Sequence, residues 1–478
     1  MARLILILTA MLLLAGGCFR RVALPPATAT PAPSPSPTPT PVAGLIGDPA
    51  HLRPIAAAPF GIQVPDRGTD DTYAYAARLG ARWARINLFW REIEPERTSL
   101  PTYRWETTDR RLRRLVDAGL HPIVTVRDNP PWAADTICGP LRASGLAGFV
   151  EFMRAMVQRY SVPPYNIHHW ELYNEPDNGD RQRLADLGGC WGQHGREYAE
   201  MLRAVYPAVK SADPQAQLLL GGIAYEDYDK GSFVPDFLDD VLDAGGGAYF
   251  DILNFHYYPV FSDVWNRYGN DIGGKADYLR TELQRYGLRK PLAVTEVGQP
   301  TFGPEGDEQP YSEEGTSRYV VQALARGMVA DLQVVIWYTL LDHPDDPRKY
   351  GLLYSDGTPK PSYNAYRVLV AELGEARAGR PLRKQDVGAD NVEGYLFALA
   401  DGRQKAVLWS LPSQGLTWSE NEQPVALAGP ALRVVGLYGE ERIVQDGGVD
   451  DADGQKDGRV TVPVGPAPVY LQVRPETR

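Results

Sequence analysis

From residue 60 to residue 373 the chain repeats one unit. A short apolar run is followed by a polar loop, then by a stretch whose apolar residues recur at helical spacing. The apolar runs predict strands over 60–64, 83–87, 122–126, 169–173, 217–221, 251–255, 292–295 and 334–337. Helical patterns fill the intervals, among them 109–118 (stopped by Gly119), 146–160, 194–212 and 312–330. Eight βα units of this size predict an α/β fold, a (β/α)8 TIM barrel with enlarged loops. The rival, a doubly wound open sheet, calls for a glycine-rich phosphate turn after its first strand, and Gly61 stands there alone. Beyond Arg380 the apolar runs become short and β-rich, with turn residues between them and no long helical pattern. The expected division is the barrel over 46–378 and a C-terminal β-sandwich over 379–478.

The first residues follow a different pattern. Met1-Ala2-Arg3 is a short positive start, and 4–14 is an eleven-residue apolar run with Thr9 its one hydroxyl. That run is too short to span a bilayer and reads as the apolar part of an export signal. It ends in Leu14-Ala15-Gly16-Gly17-Cys18, which resembles the bacterial lipobox, although Ala15 stands where that pattern prefers Leu. The resemblance implies a signal over 1–17, lipidation of Cys18, and an exported protein held by that lipid to the outside of the cell membrane. Ordinary secretion is the alternative. Eight prolines fall within 25–41, so 18–45 is expected to be a lipidated cysteine followed by an extended stalk.

Composition narrows the partners. Lys plus Arg number 49 against 60 for Asp plus Glu, a formal net charge of −11, and no basic block interrupts the acidic balance. Nucleic acid is therefore not an expected partner. Aromatic residues make up 10%, with 26 Tyr and 10 Trp, which suits either a sugar-stacking groove or a large core. The two cysteines left after Cys18, Cys138 and Cys190, fall on neighbouring loops of one barrel face and are expected to pair as a disulfide in an oxidising compartment. The acidic, glycine-rich stretch 446–458 fits no calcium-loop spacing cleanly and reads as a solvated hairpin loop.

Barrel chemistry sits on the loops that follow the strands, and two carboxylates stand there. Glu175 follows the fourth strand in Trp170-Glu171-Leu172-Tyr173-Asn174-Glu175-Pro176, and Glu296 ends the seventh in Leu292-Ala293-Val294-Thr295-Glu296. Glycoside cleavage uses such a pair, one carboxyl to protonate the leaving oxygen and one to attack the anomeric carbon. With these two motifs the chain resembles clan A of the retaining glycoside hydrolases. Further matching elements are Arg85 on strand two, Phe89-Trp90-Arg91-Glu92-Ile93-Glu94-Pro95, His256-Tyr257-Tyr258 after strand six, Trp337 on strand eight and Gly357-Thr358-Pro359-Lys360-Pro361-Ser362-Tyr363.

The resemblance implies that Glu175 is the acid/base, its pKa raised by the anionic neighbour, and that Glu296 is the nucleophile. Arg85 would keep Glu296 ionised, or else form a structural ion pair. Tyr258, in preference to Tyr257, would donate its hydroxyl to Glu296. Asn174 would hydrogen-bond the sugar 2-hydroxyl, and His256 would hold Tyr258, touch the sugar, or rest as a satisfied buried ring. Trp337 and Trp132 would offer faces to pyranose rings, with loop packing the other reading of Trp132. Glu226 and Asp227 either line a subsite or sit in a solvated loop. No cofactor and no metal is expected, and His168 and His169 point to opposite faces of their strand, which argues against joint ligation. The resemblance is greatest to family 39 β-xylosidases and next to family 5 endoglucanases. The function it implies is hydrolysis of poly- or oligosaccharides by a monomer. The alternative is a non-catalytic surface carbohydrate-binding protein on a hydrolase scaffold, whose mark would be loss of one glutamate.

Overall fold

The computed structural model describes residues 46–47, 51–66, 68, 70–179, 190–225, 232–259, 267, 270–301, 311–411 and 421–474. The export signal, Cys18, the Pro-rich stalk, Glu226 and Asp227 lie outside the described residues.

A two-residue strand, β1 (Arg53–Pro54), precedes eight parallel strands: β2 (Phe60–Gln63), β3 (Trp83–Phe89), β4 (His121–Arg127), β5 (His169–Asn174), β6 (Gln217–Gly222), β7 (Leu253–Tyr257), β8 (Leu292–Val297) and β9 (Leu332–Trp337). They pair in the order β6-β5-β4-β3-β2-β9-β8-β7. Parallel bridges Leu219–Ile252 and Ile223–Phe255 join the two ends, so the sheet closes on itself. Helices α1 (Asp70–Arg78), α2 (Trp90–Ile93), α3 (Glu106–Asp117), α4 (Ala143–Tyr160), α5 (Gly195–Ala212), α6 (Phe237–Asp243), α7 (Ile272–Arg285), α8 (Glu313–Val329) and α9 (Pro361–Leu373) alternate with them. The fold is the expected (β/α)8 barrel.

Local chemistry explains where helices begin. Ser312 accepts the Gly315 N–H at 2.9 Å ahead of α8, with Glu313 and Glu314 in the first turn beside the positive helix end. Pro361 opens α9, where its missing N–H is not needed. Leu112 and Leu115 turn the buried face of α3 to the sheet.

The barrel interior is layered. Its floor is apolar: Ile123, Leu219, Ile252, Ala293, Val334 and Ile336 form one cluster with Trp83 against it. One step up each strand the inward residues become polar and stay buried, namely Gln63, Arg85, Thr125, Glu171, Asn254 and Thr295.

After the barrel come β10 (Ala376–Pro381), β11 (Val392–Leu399), β12 (Gln404–Ser410), β13 (Gln423–Ala428), β14 (Ala431–Val435), β15 (Glu441–Gln445), β16 (Arg459–Val464) and β17 (Val469–Arg474). Seven strands, β1-β10-β11-β12-β17-β14-β15, make one antiparallel sheet, and β13 and β16 make a ribbon. A shared apolar core that includes Leu396, Leu408, Val425, Val462 and Leu471 lies between them. Residues at the start of the barrel segment belong to this unit: Arg53 pairs with Gly379, and the Ile46 N–H donates to Gln404 at 2.8 Å. The 446–458 stretch is a crossover from sheet to ribbon rather than a hairpin. Asp446 accepts the Gly458 N–H and Asp451 those of Gly447 and Thr461, each at 2.9 Å, so these carboxylates brace the loop itself.

Barrel and sandwich meet through buried ion pairs. Arg326 of α8 donates to Asp271 at 2.9 Å and to both oxygens of Glu393 on β11 at 2.8 and 2.7 Å. Glu372 of α9 receives Lys405 of β12 at 2.6 Å and Arg433 of β14 at 2.8 and 2.9 Å. Arg326→Ala would strand two buried carboxylates, so the unfolding free energy should fall by about 3–5 kcal/mol in denaturant titration. A change below about 1 kcal/mol would mean that water reaches this junction.

Candidate active site

Both glutamates owe their placement to breaks in strand alternation. On β5 the period of two sends Glu171 inward, and would send Tyr173 inward as well. Tyr173 instead has φ of 65°. This left-handed conformation is costly for a bulky residue, by about 1–3 kcal/mol. It turns the ring outward, among Phe149, Trp191 and Tyr198, with its hydroxyl donating to Asn129 at 2.7 Å. Asn174 thereby faces the barrel axis, and Glu175, with φ of 46°, follows at the mouth. On β8 the pairing with β9 shifts register between Val294 and Val297, and both Thr295 and Glu296 reach inward partners. Such irregularities re-aim side chains next to sites.

Glu175 and Glu296 meet over the mouth. One oxygen of each and a His256 ring nitrogen lie within 4.8 Å of one another. His256 Nδ1 is 3.1 Å from Glu175 Oε1 and 3.6 Å from Glu296 Oε2. Arg85 donates to Glu296 Oε1 and the Tyr258 hydroxyl to Oε2, both at 2.6 Å. Burial pushes the Glu296 carboxyl up, but the His256 ring, the Arg85 charge and the Tyr258 hydroxyl together hold it below its ordinary value. Tyr258 itself is driven well above 10 by burial and the adjacent carboxylate, so it stays a donor.

Arg85 is 1% exposed, and all five of its N–H groups have acceptors. Nε and Nη2 grip Glu171 at 2.7 and 2.9 Å, Nη2 also reaches Asn174 Oδ1 at 2.6 Å, and Nη1 serves Glu296 and, at 3.1 Å, Gln63. The two expectations for Arg85 therefore merge: it is at once a buried structural pair and the cation on Glu296. Glu171, wholly buried, also accepts from Thr125 at 2.7 Å, Asn254 at 2.9 Å, and Thr295 and the Gly222 N–H at 3.2 Å. Gly222 is required where it stands, since a Cβ there would lie 2.1 Å from His256 Nε2. His256 Nε2 faces Thr295 Oγ1 at 3.2 Å.

The cluster of Glu175, His256 and Glu296 is compact enough to share a cation. Both Glu296 oxygens are already hydrogen-bonded, however, and a guanidinium sits 2.6 Å away. A second cation would meet that charge, so the arrangement suits proton transfer better than metal binding. His168 and His169 do diverge: His168 holds Asp213 at 2.6 Å, and His169 packs on Trp83 inside the barrel.

Of the two tryptophans, Trp337 is placed otherwise than expected, and Trp132 takes the loop-packing alternative. Trp337 is fully buried and turned outward against Tyr319 of α8, because Val334 and Ile336 take the inward phase of β9. The same phase delivers the next residue, Tyr338, to the mouth, beside Tyr258 and Tyr350. Trp132 packs edge-on to Trp90, and its indole N–H donates to the Glu94 carbonyl at 3.1 Å. It is a loop-packing residue. The expected disulfide is present: Cys138 and Cys190 tie the loop after β4 to the loop after β5. The second of these loops leads on from Glu175, whose carbonyl accepts the Asn178 N–H at 3.1 Å. Glu171, Thr125, Asn254 and Tyr338 had no assigned role in the sequence, although strand phase alone marks all four as inward.

Neither a protein-family model nor a curated protein matches the sequence. Solved structures do share the fold. A family 39 glycoside hydrolase from Bacteroides cellulosilyticus superposes with a TM-score of 0.65 at 20% identity, over 88% of this chain and 81% of that one. A glucosidase from Croceicoccus marinus gives 0.60 at 15% identity, over 91% and 99%. A monomeric β-xylosidase from Caulobacter crescentus gives 0.57 at 17% identity, over 89% and 98%. At these identities the likeness establishes a shared architecture.

Tyr258→Phe removes a donor from ionised Glu296 and should raise its titration by about one pH unit. Carboxyl-carbon NMR, assigned with Glu296→Gln, would follow it. Since the folded Glu296 pKa lies below its unfolded value, the stability it contributes is present above that unfolded value and lost as pH falls. The variant should lose it at higher pH. An unmoved titration would remove Tyr258 from the site.

Proposed function

We propose that the chain is a retaining β-glycosidase that cleaves O-glycosidic bonds of poly- or oligosaccharides by double displacement. The observation that carries this reading is the opposed pair, with oxygens of Glu175 and Glu296 within 4.8 Å. Retaining enzymes hold their two carboxyl groups about 5–5.5 Å apart, whereas inverting ones leave room for a water at about 6.5–9.5 Å.

In the first step Glu296 attacks the anomeric carbon while Glu175 gives its proton to the leaving oxygen. In the second, Glu175 takes a proton from water, which displaces Glu296 and restores the anomeric configuration. Arg85 holds Asn174 Oδ1, which leaves the Asn174 amide N–H groups to donate to the sugar 2-hydroxyl. Tyr338 and Tyr350, at the mouth beside Tyr258, supply the aromatic wall that Trp337 does not.

The substrate class we favour is β-xylosidic or β-glucosidic, supported by the fold shared with a β-xylosidase and a glucosidase. We further propose that the enzyme acts as a monomer outside the cell, anchored through Cys18. That proposal rests on the apolar run, the small residues before Cys18 and the Pro-rich stalk.

Glu296→Gly should abolish turnover of nitrophenyl β-glycosides, with partial return, as glycosyl azide, on adding azide. Glu175→Gln should slow substrates with poor leaving groups by about 10²–10⁴-fold and activated aryl glycosides less. Full activity in Glu296→Gly would end the mechanism, and saccharide binding without hydrolysis by the native chain would favour the binding-protein alternative. Detergent-phase partitioning of the exported protein should disappear in Cys18→Ser; partitioning that persists would rule out the anchor.

A further inference from the structure

We infer that Glu171 is a positioning residue for the chemistry, a buried counter-charge that aims the Arg85 fork at Glu296 and Asn174 and tempers its pull on Glu296. The inference rests on the reading of Glu296 as nucleophile.

Glu171 lies one layer below the reacting centre and touches no substrate position. A carboxylate with no exposure needs full hydrogen bonding, and Glu171 has it from five groups, the Arg85 fork, Thr125, Asn254, Thr295 and the Gly222 N–H. These donors come from five different barrel strands, so the carboxylate is fixed from all sides. Thr295 N–H donates to Asn254 Oδ1 at 3.2 Å, which orients that amide with its NH₂ toward Glu171. The bidentate grip on Nε and Nη2 leaves Arg85 one rotational setting, in which Nη1 meets Glu296 and the second Nη2 hydrogen meets Asn174.

The charge matters as much as the aim. An Arg85 facing Glu296 alone would hold it so firmly ionised that its attacking power would fall. Glu171 neutralises the guanidinium from behind. Glu296 is then faced by Arg85 from β3, His256 and Tyr258 from β7 and its loop, and Glu175 from the loop after β5. Farther out, Tyr338 and Tyr350 feel its charge.

Glu171→Gln removes the charge and Glu171→Asp keeps it while shortening the reach. In Glu171→Gln the Glu296 titration, and with it the acid limb of kcat/KM, should move to lower pH by about one unit. In addition kcat should fall about tenfold or more with KM little changed. Glu171→Asp should lose kcat while its acid limb stays in place. A structural role alone would lower activity in both with no movement of either limb, and that result would overturn the inference. So would an upward shift in Glu171→Gln, or wild-type kcat in Glu171→Asp. If Glu171→Gln does not fold, by circular dichroism, Glu171→Asp can still overturn the inference, since wild-type kcat there is fatal. Carboxyl-carbon NMR of Glu296 needs no turnover. If the native chain hydrolyses no glycoside, the functional reading fails while the Glu171 effect on Glu296 remains measurable.

Discussion

One buried guanidinium organises the mouth of this barrel. Arg85 has no water to turn to, so each of its five N–H groups must find an acceptor, and each does. Burial alone would favour a neutral group. Two carboxylates, Glu171 first and Glu296 second, keep it charged. Glu171 grips the guanidinium from the wholly buried side and Glu296 meets it from the side of the mouth. Removing Arg85 would leave two buried carboxylates without their cation.

The rest of the fold serves to keep that layer dry and rigid. An apolar floor seals it from below, and in this low-dielectric setting each hydrogen bond acts more strongly than it would in water. The disulfide between the loops after β4 and β5 steadies the approach to Glu175. The C-terminal sheet is pinned to α8 and α9 by Arg326 and Glu372, away from the mouth. It braces the barrel's helical shell without lending a described residue to the carboxylate pair.

On the last barrel strand the phase of alternation and the family resemblance disagree. The resemblance to clan A points to Trp337 as the ring under the sugar. Counting from inward Val334 and Ile336 instead gives the mouth to Tyr338. Glu171 was legible in the same way, two residues below the break at Tyr173, yet a carboxylate inside a barrel has no local signature. Its role consists of partners contributed by strands up to 124 residues away.

The order of strands and helices, the closed-barrel class, the two glutamates at strand ends and the cysteine pair were all determined by the chain's own pattern. Periodicity and turn chemistry are local properties, and a barrel turns strand order directly into position around a ring. Tertiary structure alone decided that Asn174 and Glu175 both face the axis and that Thr295 and Glu296 both reach inward. Those outcomes depend on a left-handed residue and on register shifts between neighbouring strands, which no local periodicity encodes.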